Sequence, residues 1–124
     1  MSDRDSKLDG CRVLVLEDEY FLANDLEEAL KSHGASIVGP FSDVDAAYRR
    51  AARDHFDVAV IDIILHNETA YPIADELIRQ RIPFLFYTGY DAELIPERFA
   101  GVEVWQKPVD PSELVEHIGQ LFRR

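Results

Sequence analysis

Five polar side chains in this sequence follow directly on short apolar runs, and their types suit one kind of chemistry. Glu17-Asp18 follows Val13-Leu14-Val15-Leu16, and Asp62 follows Val58-Ala59-Val60-Ile61. Thr88-Gly89 follows Phe84-Leu85-Phe86-Tyr87, and Lys107-Pro108 comes just after Val102-Glu103-Val104-Trp105. Carboxylates that converge on one crevice repel one another and raise each other's pKa, a strain that a hard divalent cation relieves. Mg²⁺ favours a few carboxylates together with waters and phosphate oxygens. An aspartate beside such an ion can act as a nucleophile toward phosphorus. A lysine ammonium and a small hydroxyl would then offset charge on the transferring phosphoryl oxygens.

These residues meet only if the runs preceding them lie side by side. Leu22, Leu26, Ala29, Leu30 and His33 recur at helical spacing after the first run, and Gly34 supplies a stop. Ala35 to Gly39 reads as a second strand closed by Pro40, and Ser42 as the N-cap of a helix through Ala46, Ala47, Tyr48, Ala51 and Ala52. Pro72 suits the first turn of a helix with Ile73, Leu77 and Ile78 on its apolar face. A short helix is expected from Ala92 to Phe99, disturbed by Pro96. Pro111 opens a last helix with Leu114, Val115, Ile118, Leu121 and Phe122 facing inward. The pattern is five strands, each followed by a helix. Nearly continuous apolar strands are those covered on both faces, and the alternation implies a parallel sheet with right-handed crossovers. Ligands of such sheets bind beyond the carboxyl ends of the strands, where the five polar residues fall. Residues 1–10 are expected to form a flexible, hydrophilic lead-in, and 11–124 a single α/β domain.

Taken in order, Val13-Leu14-Val15-Leu16-Glu17-Asp18-Glu19, Val60-Ile61-Asp62-Ile63, Thr88-Gly89 and Lys107-Pro108 resemble the receiver domain of two-component response regulators. The resemblance covers the chain after the lead-in. It implies a flavodoxin-like (βα)5 fold with strand order 2-1-3-4-5. It also implies that Asp62 is the phosphoacceptor and that Glu17, Asp18, Asp62 and the backbone carbonyl of Ile64 serve Mg²⁺, with Asp18 the more direct ligand of the acidic pair. Thr88 would be the switch hydroxyl and Lys107 the salt-bridge partner of the phosphoryl group, in a Lys-Pro bond that is often cis in the family.

A narrower resemblance lies in Pro83-Phe84-Leu85-Phe86-Tyr87-Thr88-Gly89-Tyr90, in Ile95-Pro96-Glu97-Arg98-Phe99 and in Tyr71-Pro72-Ile73-Ala74-Asp75. They are similar to a receiver subgroup marked by a Phe-Ala-Thr-Gly-Tyr stretch, many of whose members stand alone or are attached to hybrid histidine kinases. Tyr87 occupies the position where alanine is usual. Val104 occupies the position of the usual aromatic switch residue, and strand alternation points the adjacent Trp105 to the opposite face. Gly89, Tyr90 and the Pro96 segment are therefore expected to carry the conformational signal past Val104.

The formal charge is −11, from 24 acidic and 13 basic residues, and no Lys/Arg cluster is present. That balance disfavours a nucleic-acid partner, because such binding depends on neutralising phosphates. No apolar run approaches the ~20 residues of a membrane span. The polar start and the lone Cys11 suit a cytoplasmic protein. His33, His55, His66 and His117 lack metal-ligand spacing. The expected function is that of a phosphorylation-controlled bacterial module without an output domain, enzymatic only in phosphoryl transfer to and hydrolysis from its own aspartate. A histidine kinase or phosphotransfer protein would be the donor and a downstream protein the reader. The chain is expected to be a monomer or a weak phosphorylation-dependent dimer. The alternatives are a receiver cut from a hybrid histidine kinase, a small Mg²⁺-dependent phosphatase, and a phosphorylation-independent scaffold. A phosphatase of the haloacid dehalogenase type would carry Asp-x-Asp on its first strand, whereas the candidate nucleophile here is on the third.

Overall fold

A computed structural model describes residues 7–89 and 95–123. Within these residues the elements run β1 (Arg12–Leu16), α1 (Tyr20–Ser32), β2 (Ser36–Phe41), α2 (Val44–Arg53), β3 (Val58–Ile61), β4 (Ile64–Leu65), β5 (Glu68–Thr69), α3 (Tyr71–Arg79), β6 (Phe84–Thr88), β7 (Glu103–Gln106) and α4 (Pro111–Phe122). Strands β2-β1-β3-β6-β7 form one parallel sheet. The two-residue strands β4 and β5 pair only with each other, through a turn in which His66 and Asn67 have φ of 47° and 68°. Setting that hairpin aside, the sheet has the expected order 2-1-3-4-5.

Alternation along the strands divides the apolar residues into two cores. Leu14, Leu16, Ala59, Ile61, Phe84 and Phe86 face α2 and α3, where they meet Ala47, Ala51, Ile73 and Leu77. Val13, Val15, Val58, Val60, Leu85 and Tyr87 face α1 and α4, against Leu26, Leu30, Leu114 and Ile118. Burying a leucine, isoleucine or phenylalanine side chain contributes about 1.5–3 kcal/mol, so covering both faces is the main source of stability in a sheet this apolar.

Helix starts are set by local hydrogen bonds. The Glu19 carboxylate accepts from the Leu22 N–H at 3.0 Å, which caps α1 immediately after the acidic pair. Asp43 caps α2 by accepting from Asp45 N–H, the role expected of Ser42 one residue earlier. Asp110 caps α4, with Pro111 in the first turn as expected.

Other expectations need correcting. Strand β2 does not stop at Pro40 but continues to Phe41. It is an edge strand, where a proline's missing N–H costs no ladder bond, and its register with β1 shifts between Leu14 and Leu16. Gly39, at φ 107°, is required there, because a Cβ would lie 2.8 Å from the Val15 carbonyl oxygen. Ile78 of α3 is exposed, and Ala74 is buried in its place on the inner face. Of the helix expected from Ala92 to Phe99, residues 90–94 lie outside the described residues. The remainder forms only a 3-10 turn, Glu97–Phe99. Pro96 has no N–H to continue an α-helix, and its carbonyl instead accepts from Phe99 N–H at 3.0 Å.

The expected lead-in is also partly built in. Leu8 is fully buried in the α1/α4 core. Its N–H donates to the His33 carbonyl at 2.8 Å and its carbonyl accepts from Cys11 N–H at 2.9 Å, while Lys7 pairs with Glu116. The packed structure thus takes in residues ahead of β1.

Candidate functional site

At the carboxyl edge of the sheet, Leu16, Ile61 and Phe86 form one row across β1, β3 and β6. One residue further on are Glu17, Asp62 and Tyr87. Asp18 and Lys107 join them from the segments after β1 and β7. Glu17, Asp18 and Asp62 can each bring a carboxylate oxygen within 4.8 Å of the others.

Lys107 holds this cluster together. Its ammonium donates to Asp62 Oδ2 at 2.8 Å and to Glu17 Oε1 at 2.7 Å. The Lys107–Pro108 bond is cis, and the Lys107 N–H donates to the Thr88 carbonyl at 2.8 Å, tying the lysine's backbone to the end of β6. Asp62 also accepts from the Ile64 N–H at 3.3 Å, which brings the backbone of Ile64 to the site. Asp18 accepts from the His66 N–H at 2.9 Å, so the β4–β5 turn fixes the second acidic residue. Thr88 is buried at the same rim.

The charge balance reflects these contacts. Burial pushes the Asp62 carboxyl above its ordinary range, and the Glu17 charge adds to the rise, while Lys107 and the Ile64 N–H oppose it. Burial alone would lower the Lys107 pKa, but its hydrogen bonds to Asp62 and Glu17 outweigh that and raise it. Asp62 is therefore an ionisable group in a poorly solvated place, facing one cation and two more carboxylates. Such a cluster fits a hard divalent ion, since every side-chain donor is a carboxylate oxygen and the local negative charge exceeds what one ammonium offsets.

One member of the site is not assigned by the sequence reading. The Tyr87 hydroxyl donates to Glu17 Oε1, the same oxygen that Lys107 uses, and the Lys107 ammonium lies 4.7 Å from the centre of the Tyr87 ring. The sequence signal is a tyrosine where alanine is usual, but its meaning depends on register across three strands. Glu17 itself is 2% exposed, with its other oxygen accepting from Glu19 N–H at 2.8 Å.

Val104 and its neighbour Trp105 divide between the two faces, as strand alternation predicts. Val104 packs toward the α2/α3 core, and Trp105 turns to the other face, where it meets His117 at 5.5 Å between ring centres. Gly89 comes after Thr88 at the exposed rim, and Tyr90 lies outside the described residues. No helix among the described residues is long and apolar enough to cross a membrane.

Comparison with known proteins gives one consistent family. The response regulator receiver domain matches residues 13–119. Transcriptional regulatory protein PdtaR of Mycobacterium tuberculosis is 31% identical over 111 residues, covering 86% of this chain and 54% of that protein. The alkaline phosphatase synthesis transcriptional regulatory protein PhoP of Bacillus subtilis is 25% identical, over 91% of this chain and 49% of that protein. The chain thus spans about half the length of the curated relatives it matches. Among solved structures, SdrG from Sphingomonas melonis Fr1 is 30% identical with a TM-score of 0.77, covering 98% of both chains.

Proposed function

The chain belongs to the response regulator receiver domain family, and from that premise we propose that it is a phosphorylation-controlled signalling module with Asp62 as phosphoacceptor. The observation that carries this reading is Lys107, whose ammonium bridges Asp62 and Glu17 at the carboxyl edge of the parallel sheet. That placement sets a cation beside Asp62, which also accepts from the Ile64 N–H and faces the two other carboxylates of the cluster.

In the proposed reaction an Asp62 carboxylate oxygen forms a P–O bond as the bond from phosphorus to the donor breaks. The donor is a phosphohistidine of a histidine kinase or phosphotransfer protein, or a small acyl phosphate. Lys107, released from part of its pairing with Asp62, offsets charge on the phosphoryl oxygens, and the Thr88 hydroxyl donates a hydrogen bond to one of them. Glu17, Asp18, Asp62 and the Ile64 carbonyl are the residues that would hold Mg²⁺, which when bound neutralises charge on the transferring group. The product carries about −1.5 to −2 charge in place of the carboxylate's −1, which favours re-pairing Lys107 and drawing the Thr88 hydroxyl toward the phosphoryl group. Gly89, Tyr90 and the Pro96 segment then carry the change past Val104 to a surface read by a downstream protein.

The test is intact mass after incubation with acetyl phosphate, with and without Mg²⁺, for the natural chain and Asp62→Asn. The expected result is a labile, Mg²⁺-dependent gain of one phosphoryl group, absent from the variant. No gain in the natural chain, or the same gain in Asp62→Asn, would overturn the assignment.

A further inference from the structure

Tyr87 touches both groups that flank Asp62, and nothing in the reaction above uses it. Its position explains how. Glu17 and Tyr87 lie one residue beyond the paired row Leu16, Ile61 and Phe86, on opposite sides of the strand that bears Asp62. The tyrosine therefore reaches across the end of β3 to the carboxylate on the far strand. Tyr87 is 2% exposed and packs into the α1/α4 core with Leu26, Leu85 and Leu114. A side chain wedged in this way has little rotational freedom, so its hydroxyl is a fixed donor rather than an adaptable one.

Glu17 needs such a donor. A carboxylate that serves a metal must keep one orientation. Its Oε2 is held by the Glu19 N–H, and Oε1 by Lys107 and Tyr87. Lys107 is the least permanent of these, since Asp62 and any phosphoryl group compete for the same ammonium. When Lys107 turns to the phosphoryl group, Tyr87 is what remains on Glu17 Oε1. The Tyr87 ring also lies beneath the Lys107 ammonium, where its π face favours a cation.

We propose that Tyr87 is a positioning residue that holds Glu17, and with it the acidic pair, in the orientation that receives the divalent cation. The proposal rests on the reading of Asp62 as a Mg²⁺-assisted phosphoacceptor. A small alanine at this position could not make the contact with Glu17.

The experiment uses Tyr87→Phe, which keeps the ring under Lys107 and removes only the hydroxyl. Mg²⁺ binding is measured by calorimetry on the unphosphorylated chain, and the rate of Asp62 modification by acetyl phosphate is followed against Mg²⁺ concentration. Loss of a partner that orients a metal ligand typically weakens binding about 10–100-fold, and about 10-fold is expected here because two donors to Glu17 remain. The Mg²⁺ concentration for half-maximal rate should rise by the same factor, with the maximal rate recovered at saturation. Adding Tyr87→Phe to Glu17→Gln should then weaken binding no further, since the two act as a unit. Unchanged Mg²⁺ affinity in Tyr87→Phe, or full additivity with Glu17→Gln, would overturn the proposal while leaving Asp62 as phosphoacceptor. A fall in melting temperature without a shift in Mg²⁺ dependence would reduce Tyr87 to packing and overturn it equally. Absence of both Mg²⁺ binding and modification in the natural chain would remove the proposal and the reading beneath it together.

Discussion

Replacing Lys107 by methionine removes the cation that separates two buried carboxylates, and the cost can be sized from its contacts. The ammonium lies 2.7 Å from Glu17 Oε1 and 2.8 Å from Asp62 Oδ2, and the Lys107, Glu17 and Asp62 side chains are 19%, 0% and 9% exposed. Removing one partner of a buried ion pair costs about 3–5 kcal/mol, because the other charge is left uncompensated. Some water reaches Lys107 and Asp62, and Tyr87 and the Glu19 N–H remain on Glu17, so the lower end applies, about 3 kcal/mol. For a domain of this size that lowers Tm by roughly 10–15 °C.

The pH dependence separates this cause from lost packing. Lys107 has a folded pKa raised above 10.5, so its contribution is fully present below that unfolded value and is lost only as pH rises through the higher folded one. Between about pH 5 and pH 8 its charge is constant, and any variation in the loss comes from the carboxylates. Asp62 is already raised by burial and by Glu17, and without Lys107 it rises further. A protonated Asp62 needs no cation. The deficit of Lys107→Met should therefore be largest near pH 8 and shrink as pH falls through the folded value of Asp62. At one Mg²⁺ concentration the variant should also gain more stability than the natural chain, because its carboxylates are no longer shared with an ammonium. Urea and thermal melts monitored by Trp105 fluorescence, in chelator and in Mg²⁺, read both effects. An equal loss at both pH values that Mg²⁺ does not reduce would refute the electrostatic argument.

Two other substitutions probe the phosphoacceptor and the core. Asp62→Asn should stabilise the metal-free chain near neutral pH, and the gain should vanish toward about pH 4: a carboxyl with a raised folded pKa contributes stability that is full below its unfolded value and lost as pH rises through the folded one. Urea midpoints at the two pH values check the sign, and a gain that grows on acidification would contradict it. Leu8→Ala should cost about 2 kcal/mol, the low end for a buried leucine because the chain ahead of β1 can partly collapse into the space; its urea midpoint should fall while Asp62 remains modifiable, whereas an unchanged midpoint would mean that Leu8 contributes nothing to the core.

Much of this architecture was legible because it depends on short-range pattern. The four apolar runs before Glu17, Asp62, Thr88 and Lys107 are strands that share a direction, so their carboxyl ends share an edge. Val104 and Trp105 fall on opposite faces for the same reason. The features that escaped depend on information that a linear pattern does not contain. Tyr87 reaches Glu17 because of the register across β1, β3 and β6, and no spacing within β6 reveals that row. Leu8 is a lone apolar residue among polar neighbours, and its burial depends on the space between α1 and α4. Pro40 reads as a strand stop until β2 is known to be an edge. Ile78 fits a helical stripe, yet the buried face of α3 runs through Ile73, Ala74, Glu76 and Leu77 and leaves Ile78 outside it.

The three segments that mark the narrower subgroup resemblance acquire a physical reason once they are brought together. Tyr71 at the start of α3 stacks on Phe99 at 5.3 Å, and Phe86 meets Phe99 edge-on at 5.6 Å. Arg98 spans the same join, pairing through two nitrogens with Asp75 at 3.0 and 3.1 Å and lying 4.5 Å over the Phe99 ring. The turn after Pro96 is thus clamped to α3 on the face of the sheet where Val104 lies. An aromatic side chain at position 104 would have to share that face with Phe99. With valine there, β7 presents a small side chain to that face instead of a ring, while the Tyr87 ring touches the charge cluster directly from the opposite face. The site is therefore braced on one side by an aromatic clamp and contacted on the other by a tyrosine tied to Glu17. A rearrangement of Lys107 changes the surroundings of Tyr87 at once, whereas Val104 packs on the other face of the sheet.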